Sequence, residues 1–137
     1  ADDMRPGSPC IDAPVGGGNG SGWLLNHLGN TFCVLLKGEF DEQQNAALDA
    51  LGAESRARGD SLKIIRIDSS HPDSLDALCI SDDRGVLAQR YDLQASAVYL
   101  IRPDQHVAAR WRSLDVDKLA AALQRALGYD LNEEEAA

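Results

Sequence analysis

Three cysteines, Cys10, Cys33 and Cys79, and three histidines, His27, His71 and His106, are the side chains here best suited to redox, nucleophilic or metal chemistry. Dithiol redox chemistry needs a Cys-x-x-Cys pair, in which one thiolate attacks and its neighbour resolves. A structural zinc site needs pairs of Cys or His at short spacing. Neither pattern occurs. An odd cysteine count at long spacing also argues against a disulfide scaffold and fits a reducing compartment. Cys33 falls inside the apolar run Phe32–Leu36 and reads as a small buried residue. Cys10, in Ser8-Pro9-Cys10-Ile11, is expected to be partly exposed, and Cys79, near a predicted helix end, reads as core. His71 before Pro72 and His106 after a turn read as loop residues. Asp82-Asp83 fits a helix-capping pair better than a metal ligand set. Asp68 follows a strand end, where α/β folds place ligands, but one acid is a weak site. Gly16–Gly22 is rich in glycine, yet no strand precedes it and no Lys-Ser/Thr ends it, so it is not a phosphate loop.

A second group is Arg102, Asp104, Arg110 and Trp111, the candidate interface. In one reading Arg102, Arg110 and Arg112, which flank the hairpin, protect a sheet edge from pairing with another chain. In the other they dock an acidic surface of another domain, with the tryptophan as an apolar anchor. Both remain open on sequence alone.

The elements that must position these residues follow from periodicity. Phe32–Leu36 and Val98–Ile101 are continuous apolar runs, as for strands buried on both faces. Leu62–Ile67 is a third strand. Arg102-Pro103-Asp104-Gln105 is a turn, with Pro103 presetting the first central position and Asp104 tolerating the second. Val107, Ala109 and Trp111 then alternate with Ala108, Arg110 and Arg112, which predicts one buried and one wet face. Asp41 with Gln44 is a capping-box pattern opening a long helix, ended by Gly59-Asp60. Gly22–Gly29 suggests one or two helical turns, Asp73–Leu78 a short helix, and Ser81-Asp82-Asp83 caps another through Val86, Leu87 and Tyr91. Asp115 caps a last helix whose apolar stripe is Val116, Leu119, Ala120, Leu123 and Leu127, closed by Gly128.

A helix between two buried strands requires a right-handed parallel crossover, and the hairpin adds antiparallel strands. The expected fold is therefore α/β and thioredoxin-like, a four-stranded mixed sheet flanked by helices. Phe32–Leu36 and Ala97–Ile101 are the expected central neighbours, with Leu62–Ile67 and Val107–Trp111 as edges. Residues 1–22 read as a linker and extended lead-in, 23–129 as the thioredoxin-like domain, and 130–137 as an acidic tail. In such redox folds the nucleophilic cysteine follows the first central strand at a helix N-terminus. Here Lys37-Gly38-Glu39-Phe40-Asp41 stands there, with no thiol or hydroxyl nucleophile. Ala95-Ser96-Ala97 replaces the proline that precedes the third strand in those folds.

Composition narrows the partners. The net charge is −9 with 22 acids against 13 bases, and no basic run occurs. Nucleic acid and anionic membranes need a basic footprint and are poor partners. No apolar stretch approaches a membrane span. No charged-then-apolar leader is visible, and a cytoplasmic location is expected.

Met4–Val15, Trp23-Leu24-Leu25 and Tyr99–Trp111, with its Arg102-Pro103-Asp104 turn followed by Val107-Ala108-Ala109-Arg110, carry a family resemblance. They resemble the C-terminal thioredoxin-like domain of FAD-dependent aromatic-ring monooxygenases, the phenol hydroxylase and 3-(3-hydroxyphenyl)propionate hydroxylase relatives. The resemblance implies a fragment whose flavin and substrate domains lie upstream in the same polypeptide, with FAD and NAD(P)H serving the parent. The domain itself would be non-catalytic and structural, with a homodimer contact in some members. The usual glycine after the turn's Asp is Gln105 here. No Gly-x-Gly-x-x-Gly opens a helix after a strand, so this chain is not expected to hold FAD by itself. Two alternatives remain: a free-standing thioredoxin- or peroxiredoxin-like thiol protein, and a flavin-independent protein-binding module.

Overall fold

The computed structural model describes residues 6–16, 22–60, 62–70, 77–93 and 97–128. Along them run β1 (Pro14–Val15), β2 (Gly22–Trp23), a 3-10 turn (Leu24–His27), β3 (Phe32–Lys37) and α1 (Glu42–Ala57). Then come β4 (Leu62–Ile67), β5 (Ala77–Ile80), α2 (Val86–Tyr91), β6 (Val98–Ile101), β7 (Val107–Trp111) and α3 (Val116–Ala126). The main sheet has the order β5-β4-β3-β6-β7. β4 is parallel to β3 and β5 to β4, whereas β6 and β7 are antiparallel to their neighbours. This is the expected mixed α/β, thioredoxin-like sheet, with β3 and β6 as central neighbours.

It has five strands rather than four. The helix expected over Asp73–Leu78 is replaced at its C-terminal end by β5, and residues 71–76 lie outside the described ones. Ala77-Leu78-Cys79-Ile80 is a short apolar run without a period that separates strand from helix. The row of N–H and C=O groups on the outer side of β4 decides it, because those groups need partners. β4 is therefore interior, not an edge, and Cys79 sits on a half-buried edge strand.

Alternation along the strands splits the core. Cys33, Leu35, Ile65, Ile67 and Tyr99 face one side, covered by the lead-in, the 3-10 turn and α2. Val34, Leu36, Ile64, Val98 and Leu100 face the other, under α1 and α3. The capping box on α1 is present: Asp41 Oδ1 accepts from Gln44 N at 2.7 Å, and Asp41 N donates to Gln44 Oε1 at 3.0 Å. Asp115 caps α3, its Oδ1 accepting from Lys118 N at 3.2 Å.

The hairpin closes as the turn residues predict, with Gln105 N donating to Arg102 O at 2.9 Å. Its strands do not alternate as expected. Leu100 pairs with Ala109 but Ile101 pairs with Val107, so an extra residue bulges on β7. The bulge puts Val107 on the lead-in side with Ile101, and turns Ala109 and Trp111 under α3. Residues 7–10 run along the outer side of β7, with Gly7 N donating to Val107 O at 2.7 Å and Val107 N to Ser8 O at 2.8 Å. The five residues before Pro6, most of the glycine-rich loop and the tail from 129 lie outside the described residues.

Candidate functional site

The carboxyl ends of the parallel strands β3 and β4 meet the N-terminus of α1, where this architecture would carry out thiol chemistry. β3 ends at Lys37 and the chain turns at Gly38, whose φ of 92° suits glycine. Glu39 then reaches to the segment after β4, accepting from Ser70 N at 2.5 Å and Ser70 Oγ at 2.8 Å. These bonds hold its carboxyl below the usual range. Asp41 occupies the helix cap. Two carboxylates thus fill the place where backbone N–H groups and the helix dipole would otherwise lower a thiol pKa. One core side chain behind this end is unusual. Arg66 is fully buried and donates from Nη1 to Asn45 Oδ1 at 2.8 Å, while its Nε and Nη2 have no hydrogen-bond partner. Burial pulls its pKa down, opposed by Asp49.

The thiols lie elsewhere. Cys33 is buried in β3 and Cys10 is half-buried in the lead-in. Burial pushes both up to about 11, against Tyr91 at Cys10 and Lys63 at Cys33. Tyr91 is enclosed too, donating from its hydroxyl to Ile11 O at 2.6 Å, and burial raises its pKa strongly. Among the described residues no three His, Cys, Asp or Glu side chains gather as metal ligands. Asp82 proves to be the cap of α2: Oδ1 accepts from Leu87 N at 3.1 Å and Oδ2 from Ala88 N at 2.9 Å, while Asp83 is exposed. Asp68 accepts from Asp82 N at 3.1 Å, a bond that ties two loops together.

The candidate interface separates into two ends of the hairpin. At the turn, Arg102 and Asp104 satisfy each other, with Nε to Oδ1 at 3.0 Å and Nη2 to Oδ2 at 2.5 Å. At the far end, Arg110 lies over the Tyr99 ring, 5.1 Å from its centroid, and within 3.7 Å of Asp92. Tyr99 itself packs edge-on to Tyr91 and donates to the Tyr91 carbonyl. Trp111 is half-buried against the α3 side of the core. Asp92, Ala97, Tyr99, Arg110, Trp111 and Arg112 line a cleft of about 210 Å³. Of the three arginines that flank the hairpin, Arg110 and Arg112 line this cleft and Arg102 stands at the turn. A second cleft, of about 280 Å³, lies beside Trp23, which is 50% exposed, with Asp83 and Arg84 on its rim.

The family model of the HcaD C-terminal domain matches residues 9–126. The chain belongs to this family. No curated protein matches it. Solved structures similar to this HcaD C-terminal domain include the flavin-dependent monooxygenase PieE in complex with FAD and substrate. The TM-score is 0.67 at 22% identity, covering 91% of this chain and 20% of that one. Aklavinone-11 hydroxylase in its ternary complex with FAD and aklavinone gives 0.66 at 20% identity, covering 91% and 22%. Thiol peroxidase from Chromobacterium violaceum gives 0.66 at 18% identity, covering 89% and 87%. These likenesses establish the thioredoxin-like fold. The HcaD C-terminal domain spans about a fifth of the two monooxygenases.

In this HcaD C-terminal domain the turn between β3 and α1 does not fit the pyrophosphate of FAD. A pyrophosphate needs open backbone N–H groups at a strand-to-helix turn. The corresponding turn here presents the Glu39 and Asp41 carboxylates.

Proposed function

We propose that this chain is the non-catalytic C-terminal accessory domain of an FAD- and NAD(P)H-dependent aromatic-ring monooxygenase. Its flavin and substrate domains precede it in the same polypeptide, which acts in the cytoplasm. The observation that carries this reading is the match of residues 9–126 to the HcaD C-terminal domain. Two further features support it: the likeness to flavin-dependent monooxygenases, and the capped α1 N-terminus, where a redox thiol would be exposed to two carboxylates. In the parent the flavin supplies the oxygen chemistry, and this domain contributes interface and stability. Residues 1–22 connect it to the upstream domains, and the Arg110–Trp111 end of the hairpin serves as its docking face, in the same polypeptide or across a homodimer.

The likeness to thiol peroxidase fits a second reading, a free-standing thiol protein, but does not favour it. High thiol pKa values at Cys10 and Cys33 count against it.

One experiment separates the two. An antibody raised to this chain captures the native polypeptide from its source cells, and mass and visible spectrum are recorded. The accessory-domain reading expects a chain several times longer, yellow with bound flavin. A colourless chain of this length would overturn it.

A further inference from the structure

A buried pair of donors without acceptors stands beside a thiol. Arg66 is fully buried and bonded through Nη1 to Asn45 Oδ1 at 2.8 Å, while Nε and Nη2 have no hydrogen-bond partner among the described residues. These two donors share one edge of the planar guanidinium, the edge that meets two oxygens in a bidentate pair. Leaving both unmet inside the fold is costly, so the edge marks a place for an acceptor. β4 and β5 are parallel with Arg66 and Cys79 in register, so the two side chains rise next to each other on one side of the sheet. It is the α1 side, where Ala77, two residues before Cys79, also packs. Burial lowers the Arg66 pKa, and Asp49 and then Cys79 oppose that. Cys79 is half-buried and in no disulfide, open enough for a small oxidant. A dissolved anion does not reach a side chain with no exposed surface, whereas a thiol already beside it needs only to gain oxygens.

We propose that Cys79 is a site of oxidation by hydrogen peroxide, and that the sulfinate formed there is held by the Nε and Nη2 edge of Arg66. The Cys79 thiol gives its proton to water, and the thiolate attacks one oxygen of the peroxide. An S–O bond forms, the O–O bond breaks, and the departing hydroxide takes up a proton to become water. The sulfenic acid then loses its proton, and its sulfur attacks a second peroxide in the same way, leaving a sulfinate and a second water. Each step oxidises sulfur by two electrons and reduces one peroxide. The sulfinate carries one negative charge on two oxygens, which matches the two waiting donors of a cation, and it is a lasting mark because the acid is not reduced by thiols. This assignment is independent of the accessory-domain reading.

The test treats the chain with hydrogen peroxide at neutral pH and reads each cysteine by peptide mass spectrometry, in the parent and in Arg66→Met and Cys79→Ser. Cys79 is expected to gain two oxygens several-fold faster than Cys10 and Cys33, and several-fold more slowly in Arg66→Met than in the parent. A second measurement needs no Arg66 variant: the oxidised parent should unfold at a higher urea concentration than the reduced parent, and peroxide should leave the Cys79→Ser midpoint where it was. Oxidation of Cys79 at the same rate in parent and Arg66→Met, or no faster than at Cys10 and Cys33, overturns the proposal. An oxidised parent no more stable than the reduced one overturns it as well.

Discussion

At the residue scale, burial governs the thiols. A thiolate left in an apolar layer loses its hydration, so the neutral form is held. With folded pKa values of about 11 against 9.0, Cys10 and Cys33 contribute stability that is complete below pH 9.0 and is lost as pH rises through about 11. Alkylation by iodoacetamide at neutral pH is expected to be slow at both, with thiolate absorbance rising only above pH 10. A midpoint near 7 at either thiol would refute this and reopen peroxidatic chemistry. Gln105 shows a different trade. Its φ of 63° is left-handed, costing about 1–2 kcal/mol relative to ordinary backbone. Its side-chain amide offsets this by donating to Leu25 O at 2.9 Å and Leu28 O at 3.4 Å. Gln105→Ala keeps the strained angle and loses both bonds, whereas Gln105→Gly loses the bonds but relieves the angle. Urea denaturation should therefore rank Gln105→Ala below Gln105→Gly, by about 1 kcal/mol. The opposite order would mean the left-handed angle at this position carries no strain.

At the element scale, α2 depends on one acid. The helix is six residues long and starts at Gly85 without a side-chain cap of its own. Asp82 caps it as its sequence suggests, but from a buried position and with a longer reach than a conventional cap, to the N–H groups of Leu87 and Ala88. Asp82→Ala strands those donors and is expected to cost about 1–3 kcal/mol, with amide exchange accelerated first at Leu87 and Ala88. Uniform acceleration across β3 and β6 would instead indicate a global effect. β4 carries the reverse case. Arg66 occupies a position facing α1, where its alternation partner Ile64 is apolar, and two of its donors stay unbonded. Replacing a buried, poorly paired charge by an apolar side chain of similar length is often neutral or stabilising, by about 1–4 kcal/mol. Arg66→Met should leave the chain at least as stable as the parent. A loss above about 3 kcal/mol, the size of a broken buried ion pair, would show that the guanidinium is satisfied by its surroundings.

At the scale of the whole molecule, both faces of the sheet are covered, and among the described residues no helix is long and apolar enough to cross a membrane. The end of the sheet at which related architectures carry out chemistry is closed by Glu39, Ser70 and Asp41. Electrostatics there oppose phosphates as well as thiolates. This chain mixed with FAD and passed through a desalting column should emerge colourless, whereas retention of flavin absorbance in equal molar ratio would contradict the geometry.

Features set by neighbours in the chain were readable in its residues. The Asp41–Gln44 capping box, the Pro103-Asp104 turn, the α3 stripe and the buried runs of β3, β4 and β6 all rest on contacts a few residues apart, where spacing is itself the physical signal. The lack of a thiol after β3 belongs to the same class. Other features needed partners distant in sequence. Ala77–Ile80 became a strand because β4 had an outer row of hydrogen-bonding groups to fill. The face of Trp111 followed from a bulge opposite Leu100 and Ile101. Arg102 and Arg112, alike in composition, diverged because Asp104 stands beside one and the other opens on a cleft. Local periodicity decides which backbone conformation a segment favours. Only tertiary packing decides which long-range donor, acceptor or charge it will meet.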